Sequence, residues 1–103
     1  MPTENAVVSR IINRALAAGY GISIFNGSLF TLRSSRSVGE ICGALFTTDM
    51  DKLYFDKDGR AIGNMLLAYG YGPDLICDYS DNPAIRALVA FGQSARPQDI
   101  NAA

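Results

Sequence analysis

Residues 60–71 carry apolar side chains at both alternating sets of positions along an extended chain. The apolar residues of this stretch include Ile62, Met65, Leu66, Leu67, Ala68 and Tyr69. A strand that is apolar on both faces is typical of a buried strand with neighbours on both sides. The pattern therefore predicts a central strand that other strands pair with and helices cover.

Residues 3–18 show a different period, because pairs of apolar residues recur every four positions. The pairs are Val7 and Val8, Ile11 and Ile12, and Ala15 and Leu16. This spacing places them on one stripe of an α-helix. Gly19 follows and can take the left-handed conformation that ends a helix. We predict an amphipathic first helix.

Residues 20–25 and 28–33 are two β-rich runs separated by Asn26-Gly27. Asn-Gly favours a two-residue type I′ turn, since both central residues of that turn need a positive φ. We therefore predict a hairpin. The side chains expected on its core face are Ile22, Ile24, Phe30 and Leu32, and those expected on its other face are Phe25, Leu29, Thr31 and Arg33.

Further elements follow the hairpin. Ser37 stands three positions before Glu40, which is the spacing of a capping box and predicts a helix over residues 38–46. Its buried side is expected to comprise Val38, Ile41, Cys42 and Leu45. Asn82 followed by Pro83 is typical of a helix start, so a last helix is expected from Pro83 to Gly92. The strands predicted between these helices are residues 52–55, 60–69 and 75–79.

The predicted order is α-β-β-α-β-β-β-α with short connections. Such connections favour an antiparallel sheet. We predict an α+β fold with a sheet of four to five antiparallel strands and helices packed mainly on one face. A chain of 103 residues suits one domain, which we assign to residues 1–92. Residues 93–103 are mostly polar and are expected to form a frayed C-terminal tail.

Composition places the chain among globular proteins, with 49% hydrophobic and 18% charged residues. Charge is divided unevenly along the chain. Residues 1–48 hold four Arg against two Glu, or +2, and residues 49–103 hold five basic residues against eight Asp, or −3. The net charge of −1 does not favour a protein that neutralises many phosphates.

The chain has two cysteines and no histidine. Cys42 and Cys77 lie in apolar contexts without the spacing of a disulfide framework, so we expect small buried side chains in a reducing compartment. The start of the chain lacks the features of a secretory signal, and no run approaches the roughly 20 apolar residues of a membrane span. We expect a cytoplasmic protein that does not contact membranes.

Clustered carboxylates suggest a hard cation, but their spacing does not match the standard calcium loop. The residues concerned are Asp49, Asp51, Asp56 and Asp58, which we interpret as solvated turn residues. The Gly-rich residues 70–73 lack the lysine and the following helix of a phosphate loop, so a turn is the better interpretation. We predict no metal and no other cofactor.

Catalysis has little support, because the absence of histidine removes the commonest general base. A carboxylate pair such as Asp78 and Asp81 would have to act instead, and these residues are more simply explained as loop and helix-start residues. We therefore predict that the protein is not an enzyme. Arg33 and Arg36 precede the second helix, where binding of an anion is an alternative to simple capping.

Four segments resemble small accessory proteins encoded by phages and other mobile elements of proteobacteria. The segments are residues 21–27, 47–53, 59–63 and 78–83. The resemblance implies a cytoplasmic protein that binds a host or viral protein, as counter-defence inhibitors such as anti-CRISPR proteins do. It implies no catalytic or ligand-binding residue.

The leading hypothesis is a non-catalytic protein-binding module that forms a homodimer. The sheet face or edge that the helices leave uncovered is the expected interface, with Phe25, Leu29 and Tyr54 in it. The alternative is a weak single-strand nucleic-acid binder. It would use Tyr20, Phe25, Arg33 and Arg36 as a stacking and phosphate-binding platform.

Overall fold

The computed structural model describes residues 4–70 and 75–94. Within these ranges the elements follow the predicted order. The helices are α1 (Glu4–Ala17), α2 (Val38–Ala44) and α3 (Pro83–Gln93). The strands are β1 (Gly21–Phe25), β2 (Phe30–Ser35), β3 (Met50–Lys57), β4 (Arg60–Ala68) and β5 (Ile76–Tyr79). Residues 71–73 of the predicted turn over 70–73, and most of the predicted tail, lie outside the described residues.

The five strands form one antiparallel sheet in the order β2-β1-β3-β4-β5. The predicted α+β fold is therefore confirmed. β4 lies inside the sheet between β3 and β5 as expected, but the middle position belongs to β3. The expectation that β4 is buried on both faces holds only in part, through Ala68, which is buried and alternates with Leu67. Met65 and Leu67 are fully buried, whereas Leu66 on the opposite face is only half-buried.

One side of the sheet, here called the inner face, carries the hydrophobic core. Its fully buried side chains alternate along the inner strands, and each stabilises the fold by about 1.5–3 kcal/mol. They are Ile22 and Ile24 of β1, Leu53 and Phe55 of β3, and Met65 and Leu67 of β4. Buried residues of all three described helices belong to the same cluster, among them Ile11, Ile12, Ile41, Ile85 and Leu88.

The opposite side of the sheet, here called the outer face, has no described helix packed on it. α2 contributes Ile41 to the core on the inner face and contacts α1, β1 and β2. α2 therefore lies on the same side of the sheet as α1 and does not cover the outer face. The outer face carries Ser23, Phe25, Phe30, Lys52, Tyr54, Asp56, Asn64 and Leu66.

The β1–β2 hairpin is present, but its turn and register differ from the prediction. The turn spans residues 26–29, and the Asn26 side chain accepts the N–H groups of Ser28 and Leu29. Ile24 pairs with Leu32 and Phe25 pairs with Phe30, so β2 contains one extra residue between the two pairs. This bulge moves Phe30 to the outer face, away from the predicted core position.

The short helix α2 begins as predicted, because the Ser37 side chain accepts the N–H of Glu40 at 3.3 Å. Ile41 and Leu45 are buried as expected. Val38 is 46% exposed and Cys42 is also exposed, so both predicted burials are wrong. The expectation fails for Cys77 too, since this residue lies exposed on edge strand β5.

Helix α3 begins at the predicted position. Asn82 accepts the N–H of Ile85 at 2.9 Å and Pro83 occupies the first turn. Among the described residues, no helix combines the length and the apolar run that crossing a membrane requires.

Candidate functional site

Three aromatic rings lie together on the outer face near the β1–β2 end of the sheet. The ring centroid of Phe30 is 5.1 Å from that of Phe25 and 5.5 Å from that of Tyr54. All three side chains are half-buried, and the rings are tilted relative to one another. Half-buried rings leave apolar area in contact with water, which is energetically unfavourable. We call these three residues the aromatic cluster.

Two cations stack on the aromatic cluster. The Arg33 guanidinium lies 4.4 Å from the Phe30 ring centroid, and Lys52 Nζ lies 5.4 Å from that of Tyr54. Both separations are within the range in which the ring quadrupole attracts a cation. The cluster is therefore an apolar surface with positive charge on it.

An open groove of about 530 Å³ lies beside the aromatic cluster. Ser23, Ala61 and Gly63 are among its small residues, whereas Tyr54, Asp56 and Asn64 are among its larger ones. The Asp56 carboxylate accepts the Ser34 hydroxyl at 3.0 Å to each oxygen. No ion pair of Asp56 is found in the described part of the chain. The groove therefore holds one carboxylate, that of Asp56, whereas the neighbouring aromatic cluster carries the two cations Arg33 and Lys52.

The residues expected at an interface lie close together on the sheet, with one at its rim. Phe25 and Tyr54 both contact Phe30, and Leu29 is 57% exposed in the turn that joins β1 to β2. Lys52 lies beside the aromatic cluster, over the Tyr54 ring, although it was not expected there. It alternates with Leu53 and Phe55 along β3, so period-two patterning identifies its face.

The residues of the nucleic-acid alternative are not gathered on one face. Tyr20 packs against the core, with its ring 6.5 Å from that of buried Phe55, whereas Phe25 lies on the outer face. Arg33 stacks on the aromatic cluster, and Arg36 is exposed between β2 and α2. The Glu40 carboxylate lies in the first turn of α2 and accepts the Ser35 hydroxyl at 3.0 Å, so a negative charge already stands where an anion would bind.

A second polar site is buried at the other end of β3. Asp51 is 1% exposed, so its interpretation as a solvated turn residue is wrong. Its Oδ2 accepts the Tyr69 hydroxyl at 2.6 Å and the Phe46 N–H at 3.2 Å. Its Oδ1 has no hydrogen-bond partner among the described residues. Asp51 faces inward because it shares the alternation of Leu53 and Phe55.

Phe46 and Tyr69 enclose this carboxylate. Phe46 has a φ of 62°, a left-handed conformation that is uncommon for a bulky residue, and its ring lies 4.2 Å from that of Tyr69. Burial raises the pKa of the Asp51 carboxyl above its usual range, against the opposing effect of its two hydrogen bonds. Burial and the neighbouring Asp51 also raise the pKa of the Tyr69 hydroxyl. The Tyr69 proton therefore stays on the phenol.

The remaining carboxylates are separate from one another. Asp49 and Asp58 are exposed, whereas Asp56 belongs to the groove on the outer face. Asp81 forms an exposed ion pair with Arg86 at 3.3 Å, and the Asp78 side chain accepts the N–H of Tyr79. Within the described ranges, no three His, Cys, Asp or Glu side chains are grouped so that they could hold a metal ion.

Comparison with protein-family models, curated proteins and solved structures finds no match for this chain.

Proposed function

We propose that the protein is a non-catalytic protein-binding module and that the outer face of its sheet is the binding surface. The observation that carries the proposal is the aromatic cluster on a face that no described helix covers. Aromatic residues and arginine are enriched at the centres of protein interfaces, where they gain most from desolvation.

The shape of the outer face supports a protein partner more than a small substrate. The groove beside the aromatic cluster is open, and its one carboxylate, Asp56, is hydrogen-bonded to Ser34. Substrate pockets are usually concave and enclose most of their ligand. Binding that blocks or organises a host or viral protein is the action we infer, in keeping with the resemblance to phage accessory proteins.

Site-specific photocrosslinking tests this proposal. A benzophenone amino acid replaces Leu29 at the rim of the outer face, and a matched variant carries it at Val38, which is similarly exposed on the helical side. We expect position 29, and not position 38, to crosslink a specific protein in the native host, either a second copy of this chain or a different protein. The crosslink should disappear when the Phe25→Asp substitution is added. This protein and the crosslinked partner, each purified, should bind each other. Crosslinking from neither position, or equally from both, contradicts the proposal.

The alternative, a single-strand nucleic-acid binder, is favoured by the stacked cations Arg33 and Lys52. Asp56 and Asp78 on the same sheet and the inward packing of Tyr20 weaken it. An electrophoretic shift assay with single-stranded DNA at low and moderate salt separates the two functions. Tight binding that weakens steeply with salt and is lost in Arg33→Ala would replace the proposed function by the alternative.

A further inference from the structure

Three side chains along β3 form a pattern of opposite charges around a ring. Lys52, Tyr54 and Asp56 occupy alternate positions on the outer face, and the pairing of β1 with β3 is regular across all three. A strand rises about 3.3 Å per residue, so Lys52 and Asp56 are separated by roughly 13 Å with Tyr54 midway. If a second copy of β3 lies opposite the first and runs in the reverse direction, Lys52 of each copy is opposite Asp56 of the other.

The side chains on the neighbouring strands also differ between the two ends of this pattern, being large beside Lys52 and small beside Asp56. At the level of Lys52, β1 presents Phe25, which is packed against Phe30. At the level of Asp56, β1 presents Gly21 and β4 presents Ala61. One end of the outer face is therefore raised by aromatic rings, and the other end is lowered by small residues around the groove.

We propose that the outer face is occupied by a second copy of this chain, related by a two-fold axis that runs across the strands at the level of Tyr54. This inference rests on the proposed function and names the occupant of the binding surface. In the dimer Lys52 of each copy faces Asp56 of the other, and the raised aromatic end of each copy enters the groove of the other. Two-fold interfaces are self-complementary in this way, and aligned sheets pack face to face about 10 Å apart.

The charge pattern selects this axis over the other simple choice. An axis parallel to the strands along β3 would place Lys52 opposite Lys52 and Asp56 opposite Asp56, which is repulsive. Arg33 and Asp78 lie on the edge strands β2 and β5, where their exposed side chains can face solvent at the rim. Of these two axes, the cross-strand one pairs each of the two outer-face charges of β3 with its opposite.

Charge reversal tests the arrangement through the full-length chain. Lys52→Asp alone places two acids at each contact, and Asp56→Lys alone places two bases there. Mixing the two variants restores both attractive contacts, because the new acid at position 52 of one chain then faces the new base at position 56 of the other. We expect each variant alone to dimerise at least about tenfold more weakly than the wild type, and the equimolar mixture to recover an affinity within about threefold of it.

Sedimentation equilibrium at low ionic strength measures these affinities, and circular dichroism shows whether each variant is folded. If a variant fails to fold, Lys52→Gln and Asp56→Asn provide a second comparison, in which each loses its contacts without repulsion and dimerises more weakly. A mixture that behaves as the average of its components overturns the inference, as does a wild type that stays monomeric. A monomeric wild type leaves the crosslink from position 29 as a separate test of the proposed function, since that crosslink can capture a different protein.

Discussion

The Asp51 carboxylate is the residue whose environment departs most from that of an ordinary acidic side chain. It is buried on the inner face, with Oδ2 hydrogen-bonded twice and Oδ1 without a partner among the described residues. A buried charge without full hydrogen bonding is costly, and the protein responds by favouring the protonated form. Asp51 therefore opposes folding at neutral pH and opposes it less in acid.

The predicted consequence is a pH-dependent difference in stability between the wild type and Asp51→Asn. Because the native pKa of Asp51 is raised, the native state holds its proton at pH values where the unfolded chain, with a pKa of about 3.9, has released it. The wild type should therefore lose free energy of unfolding, relative to Asp51→Asn, as pH rises from the unfolded pKa through the native one. Each unit between the two pKa values corresponds to about 1.4 kcal/mol.

Urea unfolding of both proteins at a series of pH values measures this difference. Asparagine keeps the shape of the side chain and an oxygen for the hydrogen bonds from Tyr69 and Phe46. A stability difference that is constant with pH, or that rises with pH in favour of the wild type, contradicts the assignment of a raised pKa.

At the scale of elements, two adjacent residues of β4 point to opposite faces of the sheet, one covered by helices and one not. Leu67 is fully buried beneath the helices, and Leu66 is half-buried on the outer face. Leu67→Ala should lower the free energy of unfolding by about 2–5 kcal/mol, since it leaves a cavity in the core. Leu66→Ala is the matched control and should cost clearly less. Equal costs in chemical denaturation would contradict the assignment of the two faces.

The contact between α1 and α3 depends on a small residue. A Cβ at Gly92 would lie 2.5 Å from Cγ1 and 2.7 Å from Cδ1 of Ile11, which is fully buried in the core. Gly92→Ala should therefore destabilise the fold by about 1–3 kcal/mol despite the better helix propensity of alanine.

Gly43 in α2 is the control for this substitution, because a Cβ there meets no atom within 4 Å. Gly43→Ala should stabilise the protein by up to about 1 kcal/mol through helix propensity alone. Thermal unfolding of the two variants distinguishes the effects by sign, and two shifts of the same sign would contradict the close helix contact.

Elements specified by local sequence are predictable here, and details that depend on distant contacts are not. The pairs of apolar residues in α1 and the Asn82-Pro83 start of α3 act within a turn or two of helix, so patterning finds them. The bulges of β2 are linked to distant partners, since Ser34 has a φ of 45° and bonds to Ser23 and Asp56. The second bulge, between the Ile24–Leu32 and Phe25–Phe30 pairs, is the one that misplaces Phe30.

The candidate site shows the same limit. Alternation along β3 suffices to put Lys52, Tyr54 and Asp56 on one face, and a hairpin prediction suffices to bring Phe25 near the edge. The position of Phe30 between Phe25 and Tyr54 requires the bulge. The hydrogen bond that Asp51 accepts in the core comes from Tyr69, eighteen residues away, and local patterning gives no sign of it.

At the scale of the whole molecule, three described helices cover one face of a five-stranded sheet and leave aromatic side chains on the other. Extended apolar surface is unusual on a monomer and generally marks an interface. A two-fold dimer is the commonest way to cover such a face. The central claim is therefore that the outer face is a protein-binding surface and that a second copy of this chain binds it.

Sedimentation equilibrium of the wild type beside Phe25→Asp tests this claim most directly. The monomer mass is 11.1 kDa. We predict that the wild-type mass rises with concentration toward about twice this value, and that Phe25→Asp stays at the monomer mass with an unchanged circular dichroism spectrum. A wild-type mass of 11.1 kDa at every concentration, or a dimer that persists in folded Phe25→Asp, would contradict the account.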